Sequence, residues 1–111
     1  MRNLFVILLL FIASTARAES FDKTRLVKNA IRVCTELHKE ESPDFYSCVS
    51  KKSLEYYAAL GLRDDALYEK LTQFAFTIHE MDNDYKRDAL NAAQMRWIAG
   101  LYLMNLIDDL K

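Results

Sequence analysis

Apolar residues recur at intervals of three and four along most of the chain, the spacing that lines one face of an α-helix. Leu26, Val27, Ala30, Ile31, Cys34 and Leu37, with His38 at the edge, predict a first helix over about Asp22 to Lys39. Ser20 or Asp22 is suited to cap its start. Lys23, Arg25, Lys28, Arg32, Glu36 and Lys39 fall mostly on the opposite, solvated side. The polar stretch Glu40 to Asp44 interrupts the pattern. Within it Ser42 suits an N-cap, Pro43 the first helical position and Asp44 the first turn. A second helix is predicted from Pro43 to Leu60, with Phe45, Cys48, Val49, Tyr56 and Leu60 inward. Gly61 follows, where a left-handed C-terminal cap favours glycine.

Asp64 is the next N-cap, and the stripe Leu67, Leu71, Phe74, Ala75 and Ile78 predicts a third helix over about Asp65 to Glu80. Asp82-Asn83-Asp84 reads as a polar break. The fourth helix is then expected from about Asp84 to Leu110, with a seam of Leu90, Ala93, Trp97, Leu101 and Met104 widened by Ile98 and Ile107. Gly100 within it costs about 1 kcal/mol relative to alanine and marks a close approach or a bend. Short loops between amphipathic helices favour antiparallel neighbours. The expected fold is therefore all-α, a small four-helix up-down bundle. The chain holds only 2 glycines and 1 proline, too few for the turns of an all-β domain of 111 residues.

The first eighteen residues follow a different pattern. Arg2 precedes an uninterrupted apolar run, Leu4 to Ala13, and Ala16 and Ala18 then form an A-x-A arrangement. This is the pattern of a secretory signal peptide cleaved after Ala18. The run is too short for a bilayer core, which needs about 20 residues. The expectation is a leader over residues 1–18, a single helical domain over 19–111, a periplasmic or secreted location and no stable membrane anchor after cleavage. The whole chain has 15 basic and 16 acidic residues. Loss of Arg2 and Arg17 leaves 13 basic residues against the same 16 acidic ones, a net charge of −3. Neither balance gives the basic footprint that nucleic acid requires.

Export gives the two cysteines a meaning. An even count in an exported chain reads as a disulfide. Cys34 lies seven residues before Glu41 and Cys48 five residues after Pro43. At about 1.5 Å per residue the two stand nearly level on adjacent antiparallel helices. A Cys34–Cys48 bridge is expected to staple the first helix to the second and to stabilise the domain by about 3 kcal/mol. The spacing contains no C-x-x-C and suits neither a metal site nor a redox catalyst.

Other chemistry is sparse. His79-Glu80 begins a sequence that ends in Asn83 where the H-E-x-x-H zinc signature needs histidine. Asp82-Asn83-Asp84 opens like a calcium loop but continues with Lys86, Arg87 and Ala93 where oxygen donor, glycine and glutamate belong. There is no C-x-x-C-H haem attachment, and a His38–Met95 ligand pair would stand at different levels of a simple bundle. No Gly-rich phosphate loop is present. No metal, cofactor or catalytic residue is therefore assigned.

What remains is surface. Tyr46, Tyr57, Tyr68, Tyr85 and Tyr102 are candidate interface residues, with Trp97 beside them, since tyrosine and tryptophan serve both core rims and docking patches. By elimination the expected function is a small exported protein-binding module without catalysis, of the inhibitor, immunity or chaperone type. Its partner would be another exported protein or a second copy. The alternative is a carrier or sensor holding a small apolar ligand between helices, walled by Phe45, Phe74, Phe76 and Trp97, and it requires an enclosed pocket of roughly 300 Å³ or more. An enzyme would require His38 or His79 hydrogen-bonded to a carboxylate in a cleft.

Overall fold

In the computed structural model, which describes residues 22–38 and 42–111, four helices follow one another. They are α1 (Lys23–Leu37), α2 (Pro43–Ala59), α3 (Asp65–Lys86) and α4 (Ala92–Leu110). The leader expected over residues 1–18 lies outside the described residues, as do Ser20, Lys39 at the expected end of the first helix, and Glu40 and Glu41 of the first break. No strand occurs among the described residues. Consecutive helices pack on one another, and α4 touches α1 and α2 more narrowly than it touches α3. The domain is thus an all-α up-down bundle with α4 at its less enclosed side.

Each helix starts at a side-chain cap. The Asp22 carboxylate accepts from the Thr24 amide at 3.0 Å and from the Thr24 hydroxyl at 2.6 Å. Ser42 Oγ accepts from the Phe45 amide, with Pro43 next to it as expected. Asp64 accepts from the Leu67 amide and also receives the Lys23 ammonium at 3.0 Å, which ties the start of α1 to the α2–α3 turn. The Thr24 hydroxyl holds the Asp22 carboxyl below its ordinary pKa. The Leu67 amide and then Lys23 do the same for Asp64. Asn91 and Gln94 form a reciprocal capping box at the start of α4.

The ends of α2 and α3 share one device. Gly61 stands at φ +64°, its amide donates to Ala58 O, and the Leu62 amide reaches back to Tyr57 O. This is a Schellman cap, and it satisfies the last carbonyls of α2. At the end of α3 the Asp88 amide donates to Tyr85 O and the Ala89 amide to Asp84 O. Here the left-handed position, φ 59°, is occupied by Asp88.

That cap corrects the expected boundary between the third and fourth helices. Asp82-Asn83-Asp84 does not break the chain; it forms the last turns of α3. Two observations explain the continuation. Met81 is buried and extends the stripe of Leu67, Leu71, Phe74 and Ile78 by one more turn. Lys86 pairs with Asp82 at 2.9 Å and Arg87 pairs with Asp84, so the local acids are matched three and four residues on. The Asp82 contact also raises the Lys86 pKa. α4 consequently starts at Ala92 rather than near Asp84.

The core is contributed by all four helices. Leu26, Val27, Ala30 and Cys34 come from α1, and Phe45, Tyr46 and Val49 from α2. The inner face of α2 differs from the expected one. Ser50 and Ser53 are buried beside Val49, while Leu60 is exposed. The two serines turn their hydroxyls onto their own helix, Ser50 to Ser47 O and Ser53 to Val49 O, so no donor is left unsatisfied. Cys34 and Cys48 form the expected disulfide, with Cα atoms 5.8 Å apart. At the opposite end of α2 the Tyr57 hydroxyl donates to Asp64 O at 3.1 Å and accepts from the Asp64 amide at 2.9 Å. A disulfide at one end and a phenol clamp at the other therefore hold α2 against its two sequence neighbours.

Two outcomes follow for stability. Replacing both Cys34 and Cys48 by alanine lowers the thermal midpoint by roughly 10–20 °C, the effect of about 3 kcal/mol in a domain of this size. Far-ultraviolet circular dichroism at low temperature remains helical, and equal midpoints with and without the bridge would show that the staple contributes nothing. Asp88→Gly acts in the opposite direction. It relieves a non-glycine residue in the left-handed region and raises stability by about 1 kcal/mol in a urea titration.

Candidate functional site

Buried polar atoms are the first place to look for a site. Among the described residues no buried side-chain nitrogen or oxygen lacks a hydrogen-bond partner. No group of three or more histidine, cysteine, aspartate or glutamate residues converges there to hold a metal. His38 caps the end of α1 and is exposed, its backbone amide donating to Cys34 O. His79 is exposed on α3 and its ring nitrogen meets Asn83 Nδ2 at 3.4 Å. Among the described residues neither histidine is joined to a carboxylate. Met95 is fully buried while His38 faces solvent, so the two do not make a ligand pair.

The cavity expected by the carrier reading is not formed by its four aromatics. Phe45 and Phe74 are packed in the core, whereas Phe76 and Trp97 are exposed. The described depressions are open grooves. One of about 380 Å³ runs between α1 and α2, lined by Arg25, Leu26, Asn29, Arg32, Tyr56, Ala59 and Leu60.

The five candidate tyrosines are dispersed by the fold. Tyr46 is only 4% exposed, so the structure removes it from the surface set. Its side chain fills the core, its ring lies edge-on to Phe45, and its hydroxyl donates to Arg96 O on α4 at 3.2 Å. A side chain built on Gly100 would meet that same hydroxyl at 3.4 Å, so the glycine leaves room for the tyrosine and not for a helix backbone. Tyr57 is half-buried and holds the α2–α3 turn, and exposed Tyr68 rests against it with ring centres 5.3 Å apart. Tyr85 stands near the far end of α3, and Tyr102 borders a groove with Lys70, Gln73 and Thr77. Tyr68 and Tyr85 are separated by about 25 Å along one helix, so the tyrosines do not build one patch.

The surface feature that does emerge is on α4, and it reverses the expected seam. The buried positions are Met95, Ala99, Leu103, Leu106 and Leu110. Trp97, Leu101 and Met104, read from the sequence as core, are 70%, 44% and 62% exposed. At 100° per residue their stripe lies on the side of α4 opposite the buried one. Exposed Ala93 continues it toward the N-terminus. Ile107 and Ile98 remain partly buried against the core, as the widened seam implied. Between Ala92 and Ile107 the helix carries one charged residue, Arg96.

The adjacent helix shows that such a surface is not a general property of the bundle. On α3 the side opposite the core carries Glu69, Thr72, Gln73, His79, Glu80 and Asn83 around a single apolar residue, Phe76. Isolated exposed apolar residues are ordinary, whereas a contiguous stripe marks an interaction surface. A helix apolar all round is normally enclosed on all sides, and the bundle covers only half of α4. No described helix is long and apolar enough to cross a membrane.

Comparison with protein-family models, with curated proteins and with solved structures returned no match.

The two faces of α4 separate cleanly by mutation. Met95→Ala removes a fully buried side chain and costs about 2–5 kcal/mol. Trp97→Ser removes a larger but exposed one and changes stability by less than about 1 kcal/mol. Denaturant titration of the two variants checks the assignment, and a larger loss at Trp97 than at Met95 would put the wrong face in the core.

Proposed function

We propose that the protein is an exported, non-catalytic protein-binding module whose contact surface is the outer face of α4. The observation that carries this reading is that α4 is apolar on two opposite faces and the bundle covers one. Trp97 and Met104 are residue types enriched where protein surfaces dock, tryptophan as a rigid anchor and methionine as an adaptable filler. The stripe is flanked by polar positions, exposed Gln94, Arg96 and Asn105, an arrangement resembling an apolar centre with a polar rim.

The compartment follows from other features. A disulfide is retained in oxidising surroundings, which points away from the cytoplasm. Taken with the leader pattern of residues 1–18, this supports a periplasmic or secreted module that masks, escorts or inhibits another chain. The Cys34–Cys48 staple and the Tyr57 clamp suit this role, because a rigid scaffold loses little conformational freedom on binding.

Site-specific photo-cross-linking in the native host tests the reading. Benzoylphenylalanine at Leu101 should give a discrete covalent adduct with a protein chain, and the same probe at Glu69, on the polar side of α3, should not. Adding Trp97→Asp should abolish the adduct at position 101. Equal labelling from positions 69 and 101, or none from either, would overturn the docking surface.

A further inference from the structure

The outward side of α1 is basic in a chain that is otherwise slightly acidic. From Lys23 to Thr35 the helix carries four basic residues and no acidic one, whereas the whole chain has 15 basic and 16 acidic. At 100° per residue Arg25, Lys28, Asn29 and Arg32 fall on one side of α1, opposite buried Ala30 and Cys34, and all four are exposed. Beside that ridge runs the groove of about 380 Å³ between α1 and α2. Arg25, Asn29 and Arg32 form its α1 wall, and Leu26, Tyr56, Ala59 and Leu60 give it an apolar surface.

Charge separates this groove from the other described depressions. The one bordered by Tyr102 holds Lys70 with Asp109, 3.8 Å apart. The one beside Cys48 holds Lys52 with Glu55, paired at 3.1 Å. The one beside His79 holds Lys86 with Asp82, paired at 2.9 Å. In each of these a carboxylate of the chain already answers a lysine. The α1–α2 groove is lined by two guanidinium groups and no carboxylate. Among the described residues neither Arg25 nor Arg32 forms an ion pair. Asp22, the acid nearest to Arg25 in sequence, is held by Thr24, and Arg25 is the weakest of the influences that lower its pKa.

An arginine fork binds a carboxylate through two parallel hydrogen bonds. The apolar surface beside the forks suits a group without hydrogen-bonding atoms. A peptide segment would lay amides and carbonyls on Leu26, Ala59 and Leu60, whose side chains offer them no partner. A flat bilayer surface would meet the exposed ridge but not buried Leu26. An acyl chain carries one acidic head and no further polar atom. The volume stands at the lower end of the range for small-molecule sites, which fits a short chain. The geometry points to this groove as a binding site for an anionic amphiphile with one short acyl chain, a fatty-acid-type carboxylate. Its head sits between Arg25 and Arg32, with the Asn29 amide as a further donor, and its chain covers Leu26, Ala59 and Leu60. No residue of α4 takes part, so the site is independent of the docking face proposed above.

Nitrogen-edited NMR of the full chain, expressed from its complete sequence and purified, tests the site with sodium decanoate kept below its micelle concentration. The expected result is a saturable one-to-one titration that shifts the amides of Asn29, Arg32, Ala59 and Leu60. Decanol and decyltrimethylammonium share the chain, acetate shares the head, and each binds more weakly than decanoate by roughly tenfold or more. Arg25→Glu and Arg32→Glu each weaken decanoate by roughly tenfold, with helical circular dichroism and the thermal midpoint retained. Arg63→Glu, at an exposed position outside the groove, leaves the affinity unchanged. Equal binding of decanol and decanoate overturns the part given to the arginines, as does a decanoate affinity that neither substitution alters. Shifts centred on Trp97 and Leu101 overturn the choice of groove. Absence of saturable decanoate binding overturns the site. Capture of the chain by phosphatidylglycerol vesicles alone would then assign the basic ridge to a membrane surface, and capture by an acidic peptide alone to a protein partner.

Discussion

A helix that is apolar on two opposite sides cannot be satisfied by one neighbour, and α4 imposes that constraint on the whole molecule. The bundle meets half of it by burying Met95, Ala99, Leu103, Leu106 and Leu110. Choosing that face decides where Tyr46 goes, because its hydroxyl must reach Arg96 O and sits in the space left by Gly100. It also leaves Trp97, Leu101 and Met104 in water. The rest of the fold can be understood as making a rigid support for that helix. The disulfide fixes α1 on α2, the Tyr57 hydroxyl fixes α2 on the turn into α3, and Lys23–Asp64 ties the start of α1 to the same turn.

Where the sequence holds a strong amphipathic contrast, its reading and the structure agree. α1 alternates basic and apolar positions sharply, so its inner face was legible from Leu26 to Cys34, though not at Leu37, which is exposed beyond the last packed turn, and so was the level at which Cys34 meets Cys48. Ser42-Pro43 and Gly61 each mark an end through a backbone requirement that few residues meet, and both lie where expected. The third stripe was legible for the same reason as the first, up to the residue where a polar cluster interrupted it.

The failures share a physical cause. Asp82-Asn83-Asp84 looks like a break if each residue is judged by its own propensity, but Lys86 and Arg87 supply matching cations within one helical turn. The true end has Asp88 in the left-handed position that glycine usually marks, so the strongest stop signal is missing. The start of α4 was nevertheless written in Asn91 and Gln94, whose spacing permits the reciprocal cap. On α4 the period itself was uninformative. With apolar residues on both sides, Trp97 outweighs Met95 in any count by size, and only the placement of α3 decides between them. Likewise Ser50 and Ser53 carry no apolar signal, yet small side chains that bond back to their own helix fit a close helix contact.

The same property that defeated the periodicity gives the exposed face its meaning. Trp97, Leu101 and Met104 are left 70%, 44% and 62% exposed, so the stability of the bundle asks little of their apolar character. Polar residues at those positions would leave the core intact and the surface better hydrated, as the outer side of α3 already demonstrates with Glu69, Gln73 and Glu80. Burial among the described residues therefore does not account for the outer stripe. Among the described residues the buried side-chain polar atoms all have partners. Among the described residues the largest uncovered apolar stripe lies at the exterior of one helix, and removing that area from water is the free energy on which the proposed docking draws.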